Sequence, residues 1–290
     1  MTPDEIAYVL AETFPVPDYE SPWELLAARD HYVYVTQTRL AKVTRTPSAT
    51  PRLANGVITA RELTRLGAPV VDPLLPLYVP TRAGNVTLWP RLTHTPPPSL
   101  TESLADALGQ AIAATARHRT DHVSTFNPLA RAYKRLEIST FSPHLIALAE
   151  AALHERWTTL ETLRQLPRVF AHGDIHLENV LFTSDGPLLI DFDYATTAPL
   201  GWDAASLARD LILGYDDPAA FADTLDGYYT AGAYLPSTQD FVAQCVLKEL
   251  LTITFAMTFA PTQDAEDQTY ARLSDLPNLP EYFTSELPDF

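Results

Sequence analysis

Sulfur is scarce in this chain, with one cysteine, Cys245, and two methionines among 290 residues. A single cysteine allows no intrachain disulfide, which fits a reducing compartment, so a cytoplasmic location is expected. Basic residues are also few: 20 Lys and Arg stand against 36 Asp and Glu, a formal net charge of −16. Such a surface repels nucleic acid and anionic lipid, so neither is expected as a partner. It suits a cationic small molecule, although plain solubility in an acid-rich proteome explains it equally well. Residues Met1 to Glu5 lack a basic region followed by an apolar stretch, so no signal peptide is expected. Long apolar runs are missing too. Leu250 to Ala260 is too short to cross a bilayer and follows Lys248-Glu249, which makes it a buried helix and not a membrane span. The 46% hydrophobic content is enough for a sizeable core.

What is present divides into two compositions. Thr2-Pro3-Asp4-Glu5 reads as a capping box opening a helix that runs to about Phe14. Tyr32 to Thr46 alternates as a hairpin, with a polar turn at Gln37-Thr38-Arg39. Arg52 to Leu66 spaces Val57, Ala60, Leu63 and Leu66 for one helix face, and Gly67 ends it. Leu77-Tyr78-Val79 and Val86 to Trp89 form a further strand pair around Ala83-Gly84-Asn85. Then Thr95-Pro96-Pro97-Pro98-Ser99 reads as a linker. Beyond it the pattern is helical at 100–119, 143–166, 204–215, 219–229 and 240–258, with short strands at 180–182 and 188–191. The expected fold class is therefore α+β. A small β-rich lobe, residues 1–93, precedes a larger, mostly helical lobe, residues 94–290.

One segment carries the chemistry. His172-Gly173-Asp174-Ile175-His176-Leu177-Glu178-Asn179 leads into the apolar run Val180-Leu181-Phe182. A second run, Leu188-Leu189-Ile190, ends in Asp191-Phe192-Asp193. An Asp, an Asn five residues later and an Asp at a strand end resemble the catalytic layout of the protein-kinase-like fold. More narrowly, His172 to Asn179 with Asp191-Phe192-Asp193 is similar to the aminoglycoside phosphotransferase and choline kinase superfamily. His176 stands where that family has a histidine. Pro199-Leu200-Gly201-Trp202-Asp203 resembles the segment that follows its metal aspartate.

The resemblance implies a two-lobed protein-kinase-like fold and roles residue by residue. Asp174 orients and deprotonates the acceptor hydroxyl, with His176 beside it. Asn179, Asp191 and Asp193 hold Mg²⁺ on the phosphates of ATP or GTP. Lys42 holds those phosphates, and Glu62, on the following helix, pairs with Lys42. Trp89 and Arg91 fall where the hinge meets the nucleotide base. His172 and Asp203 brace the catalytic loop. The stretch Ala27 to Tyr32, where the family often has glycine, has none, so Arg29 or His31 would meet phosphate through side chains.

Other classes fit less well. Gly173-Asp174-Ile175-His176 also opens like a two-metal phosphoesterase motif. That class needs later Gly-Asp and Asn-His ligand pairs, which the chain lacks. A catalytically weak pseudokinase that binds a ligand is a further alternative, resting on the glycine-free loop alone. No Ala-Pro-Glu motif follows Asp193, which disfavours protein acceptors. The expected acceptor is a hydroxylated small molecule, first an antibiotic such as an aminoglycoside and second a metabolic alcohol or sugar. Residues 261–290 hold seven acids and one base, a net −6. Asp264, Glu266 and Asp267, with Asp216, Asp217 and Glu249, are therefore the expected acceptor-binding carboxylates.

Overall fold

A computed structural model describes the chain except residues 18–19, 29–30, 45–48, 94–98, 119–122, 216, 260–261 and 288–290. The proline-rich 94–98, Arg29 and Asp216 thus lie outside the described residues. The chain divides into two compact units. The first is Met1–Ser99, His118–Ser124 and Glu178–Ala195; the second is Leu100–Arg117, Thr125–Leu177 and Thr196–Phe290. A single cut at residues 93/94 does not follow this packing. Glu178–Ala195 joins the first unit because Val70 bridges to Leu189 and residues 192–194 pack on a first-unit helix.

The first unit opens with helix α1, Pro3–Thr13. Its capping box is complete: Glu5 N–H donates to Thr2 Oγ1 (3.3 Å), and Thr2 N–H donates to Glu5 Oε2 (2.7 Å). Such a cap contributes about 1 kcal/mol. Strands β1 (Glu24–Ala28), β2 (Tyr32–Val35) and β3 (Arg39–Thr44) follow, then helix α2 (Thr50–Arg65), β4 (Val79–Thr81) and β5 (Gly84–Pro90). They form one antiparallel sheet in the order β1-β2-β3-β5-β4. The apolar face of α1 (Ile6, Val9, Leu10) closes on Trp23, Tyr34, Ala41, Val43, Val86 and Leu88. Part of the stretch read as a loop is strand, since β1 reaches Ala28 and pairs with β2.

In the same unit, Val180–Thr183 and Gly186–Leu189 make a two-stranded hairpin. The strand stops at Leu189, so Asp191 lies two residues beyond it and not at its end. Val180 pairs with Leu189, and Ile190 N–H donates to the Asn179 carbonyl (3.0 Å). The hairpin's open end therefore brings Asn179 beside Ile190, the residue preceding Asp191 and eleven positions along the chain.

The second unit is mostly helical. Helices Glu102–Ala116 and Pro218–Thr230 pack backbone to backbone. A Cβ at Gly109 would sit 1.9 Å from the Thr224 carbonyl oxygen, and one at Gly227 1.9 Å from that of Asp106. Only glycine at both crossings permits this approach. Arg168–Ala171 pairs antiparallel with Thr196–Pro199 and leads directly into the segment 172–179. The long helix Thr238–Phe259 is apolar and long enough to cross a membrane by length and composition. Most of it is buried within the fold, and it carries Lys248 and Glu249 among its buried residues, so it is a core helix. The run expected at 143–166 is two helices, Pro143–Glu155 and Trp157–Leu163. The run expected at 204–215 begins as Trp202–Ala208 and widens into a π-turn at Arg209–Gly214. Pro128–Leu136, Gln263–Asp275 and Leu279–Glu286 complete the set.

Candidate active site

The first unit builds a dense charged cluster. Lys42 is central in β3, which pairs on both sides, so its register is fixed: Lys42 opposes Val33 and Thr87. Its Nζ donates to Asp191 Oδ1 (2.8 Å) and to Asp193 Oδ2 (3.2 Å). His31 Nε2 lies 3.2 Å from the same Asp193 oxygen. Burial alone would drive the Lys42 ammonium toward its neutral form. Asp191 and Asp193 outweigh it and raise the pKa above the ordinary lysine value. Burial works against Asp193 likewise, but Lys42 and His31 hold its carboxyl down at about 2.

Asp191 has φ 66° and ψ 59°, the one non-glycine left-handed residue among those described. Strain of this kind costs about 1–3 kcal/mol and persists where the surroundings fix it. Here the Lys42 contact and the packing of Phe192, 1% exposed, fix it. Gly56 of α2 makes the packing possible, because a Cβ there would lie 2.5 Å from Asp193 Oδ1. Glu62 is half-buried on the same helix, while the Lys42 ammonium is directed to the two aspartates. Trp89 is half-buried, with Nε1–H donating to Thr87 Oγ1 (2.9 Å). The Arg91 guanidinium donates to the Thr36 carbonyl (2.7 Å), tying the end of β5 to the β2–β3 turn.

In the second unit the segment around Asp174 is held by backbone donors. His172 N–H donates to Asp203 Oδ2 (2.7 Å) and Gly173 N–H to Asp203 Oδ1 (3.0 Å). Asp174 N–H points at His172 Nδ1 (3.4 Å), and His172 is 1% exposed. Further along, Leu177 N–H donates to Asp210 Oδ2 (3.1 Å). Burial would raise the Asp174 pKa, but the charges of Arg131, His176, Lys248 and Arg135 hold it below the ordinary aspartate value. Asp174 is thus an ionised, half-buried carboxylate on a loop held by hydrogen bonds, suited to orient a hydroxyl and accept its proton.

Several expected acceptor carboxylates are engaged in the fold. Glu249, 4% exposed, accepts from Arg209 Nε and Arg272 Nε, both at 2.7 Å. Burial is outweighed there by Arg272 and Arg209, so its pKa falls. Asp217 caps Pro218–Thr230 through Ala220 N–H (3.0 Å). Glu266 Oε1 accepts from Ser142 N–H (3.1 Å). Asp264 and Asp267 are exposed.

Sequence reasoning missed the roles of Gly56, Arg131, Arg135, Asp210 and Lys248. A glycine inside a helix and a Lys-Glu pair inside an apolar run were the available signals.

The donor set fits magnesium. Asn179 and Asp191, with Asp193 nearby, offer hard oxygens, and Mg²⁺ characteristically takes one or two carboxylates and completes its shell with water and phosphate. Among the described residues no group of three or more His, Cys, Asp and Glu could hold a metal, as a dedicated zinc cage would require.

Several known proteins resemble the chain. A choline/ethanolamine kinase family protein from Mesorhizobium loti has a TM-score of 0.68 at 18% identity, covering 99% of both chains. The amicoumacin kinase hAmiN, solved with AMP-PNP, Ca²⁺ and Ami, gives 0.66 at 16%, over 88% of each. Aminoglycoside 2′-phosphotransferase-IIIa, solved with GDP, gives 0.66 at 12%, over 96% of this chain and 99% of that one. At these identities the shared property is the fold, which is protein-kinase-like. Methylthioribose kinase 2 of Oryza sativa subsp. japonica is 34% identical over 56 residues, which is 19% of this chain and 13% of that protein. Residues 26–241, most of the chain, with Lys42, Asp174, Asn179, Asp191, Asp193 and Asp203 among them, match the family described as "APH: Phosphotransferase enzyme family", and the protein belongs to that family.

Proposed function

We propose that this chain transfers the γ-phosphate of ATP or GTP, with Mg²⁺, to a hydroxyl of a small molecule. The observation that supports it most is the Lys42 ammonium meeting Asp191 and Asp193 at 2.8 and 3.2 Å, at the hairpin end that also carries Asn179. An ammonium and oxygen donors gathered in one place are what nucleotide phosphates require. In this reading Lys42 binds the α- and β-phosphates and is steadied by Glu62. Asn179 and Asp191, with Asp193, hold the metal, which would supply neutralisation of phosphate charge. Trp89 and Arg91 border the base. Asp174 aligns the acceptor hydroxyl and takes its proton, His176 tunes it, and His172 and Asp203 keep the loop in place. A cytoplasmic location belongs to the same reading, because it supplies the nucleotide.

The acceptor is argued from local charge. The net −16 and the acidic terminal stretch favour a polycation such as an aminoglycoside antibiotic. Near Asp174 the balance is different. Arg131, Arg135 and Lys248 bear on it, and Glu249 is committed to two arginines. Charges beyond about 8 Å are screened at physiological salt, so the nearby groups decide. They favour the second class, a metabolic alcohol or sugar without clustered amines.

The test is a coupled nucleotide-consumption screen with both ATP and GTP against aminoglycosides, amino alcohols, neutral polyols and sugars. Acceptor-stimulated consumption that Asp174→Asn removes is expected. Consumption stimulated by no acceptor, with nucleotide still bound, would turn the reading toward a ligand-binding pseudokinase.

A further inference from the structure

Lys248 sits in the interior of Thr238–Phe259 between Cys245, Leu247, Leu250 and Leu251, and is 5% exposed. A lysine in that setting loses its hydration, so something must answer its charge. Two contacts do. The ammonium stands 4.2 Å from the centroid of the Trp202 ring, and 3.5 Å from the carbonyl oxygen of Gly173. The ring gives a desolvated cation–π contact; the carbonyl contact is long for a hydrogen bond. Gly173 immediately precedes Asp174, and Trp202 immediately precedes Asp203, which takes the N–H groups of His172 and Gly173. The lysine therefore touches both ends of the device that shapes the catalytic loop. A methionine would fill the same volume without the cost of a charge.

We infer that Lys248 is a positioning residue for phosphotransfer, its ammonium fixing the backbone before Asp174 and setting a positive charge behind that carboxylate; this rests on the role proposed for Asp174. The groups facing it are known from each neighbouring element. Trp202 and Asp203 come from Trp202–Ala208, Asp174 from the loop, and Arg131 from Pro128–Leu136, while His176 and Arg135 act on Asp174 itself. Cys245 lies one turn earlier on its own helix, where burial pushes its thiol upward. Glu249 neighbours it in sequence but is taken by Arg209 and Arg272.

Burial outweighs the attraction of Asp203 and lowers the lysine's pKa to about 8, helped by Arg131. Two pH effects of opposite sign follow. Turnover falls as pH rises through about 8, because the ammonium is lost. Stability moves the other way. The folded pKa lies below the unfolded one, so the unfolded chain binds more protons between about 8 and the ordinary lysine value, and the fold gains stability with rising pH there. An alkaline loss of activity from this group is thus not unfolding.

The experiment compares Lys248→Met and Lys248→Arg with wild type in kcat, nucleotide KM and thermal midpoint from pH 5 to about 10. Lys248→Met should lower kcat about tenfold, the effect of 1.4 kcal/mol on a barrier. It should leave nucleotide KM within twofold, erase the alkaline limb and move the acid limb upward as Asp174 loses a stabilising charge. Lys248→Arg should recover most of kcat and show no alkaline limb, since a guanidinium stays charged. An unchanged pH profile in Lys248→Met, or a kcat loss that follows the melting temperature and is not rescued by arginine, overturns the inference. Should Lys248→Met fail to fold, Lys248→Arg decides alone: a limb that persists near pH 8 refutes the role, and its disappearance supports it. If Asp174→Asn keeps full turnover, it is the role proposed for Asp174 that fails, whatever the Lys248 variants show.

Discussion

Asp193 and Asp174 are both kept ionised against burial, but by different means. Asp193 is held by direct contact, with Lys42 and His31 each 3.2 Å away on one oxygen. Asp174 is held by a field drawn from two helices and its own loop, Arg131 foremost and His176, Lys248 and Arg135 after it. A direct pair is strong and specific, but under the proposed function it must open to admit metal and phosphate. A distributed field loses only a share of its charge when one member is removed, and the loop's backbone is held beside it by Asp203. The first arrangement suits a site that exchanges charged ligands. The second suits a site that must hold one carboxylate steady for a neutral hydroxyl.

The sharpest way to break this contrast is in the first cluster. Asp191→Ala should abolish Mg²⁺-dependent nucleotide binding, measured by calorimetric titration, because it removes a charged oxygen donor. Asn179→Ala should weaken it less, since a neutral amide carries no formal charge. Superimposable titrations of wild type and Asp191→Ala would sink the metal assignment.

In the second cluster, Asp174→Asn should lower kcat by about 10² or more while nucleotide affinity stays within twofold. Turnover within a few-fold of wild type would remove Asp174 from the chemistry.

Glu249→Gln tests whether the field depends on structure at its edge. The carboxylate is 5% exposed and pairs with two arginines, so its loss should cost about 2–3 kcal/mol, below the 3–5 of a fully buried pair because Arg272 is partly exposed. Its folded pKa is depressed, so its stabilisation is present above the ordinary glutamate value and is lost as pH falls below it. The variant should therefore be less stable near neutrality but show a flatter acid-unfolding curve. Parallel acid curves would contradict the pairing.

Gly56→Ala gives the smallest effect and separates the two units. A methyl 2.5 Å from Asp193 Oδ1 forces the carboxylate or its segment aside. Such overpacking costs about 1–3 kcal/mol. Nucleotide KM should rise and acceptor KM should not; a rise in both would place the glycine's influence elsewhere.

Much of this was legible in the sequence. The capping box of α1, the β2–β3 hairpin and the Val180–Leu189 hairpin follow from local patterns that tertiary packing only reinforces. Strand β1 was not legible, because it is mostly exposed and lacks the alternation that marks a half-buried strand. Gln263–Asp275 reads as an acidic tail, yet its Arg272 anchors a buried carboxylate. Asp174, Asn179 and Asp191 stood out because a motif fixes their spacing. Arg131, Arg135, Asp210 and Lys248 act on the same loop from distant helices, at positions where charged residues are ordinarily solvated. Only the burial of Lys248 within an apolar helix sets it apart.

The left-handed backbone of Asp191 also bears on how this enzyme could lose its activity in evolution. That conformation is comfortable for glycine and tolerable for asparagine and aspartate, but costly for other side chains. Asparagine and glycine are each one base change from aspartate. Both would leave the turn, and so the fold, intact while removing the carboxylate charge beside Lys42. The position therefore offers a short route from a kinase to a folded, ligand-binding descendant, whereas most other changes at that residue would first meet selection against misfolding.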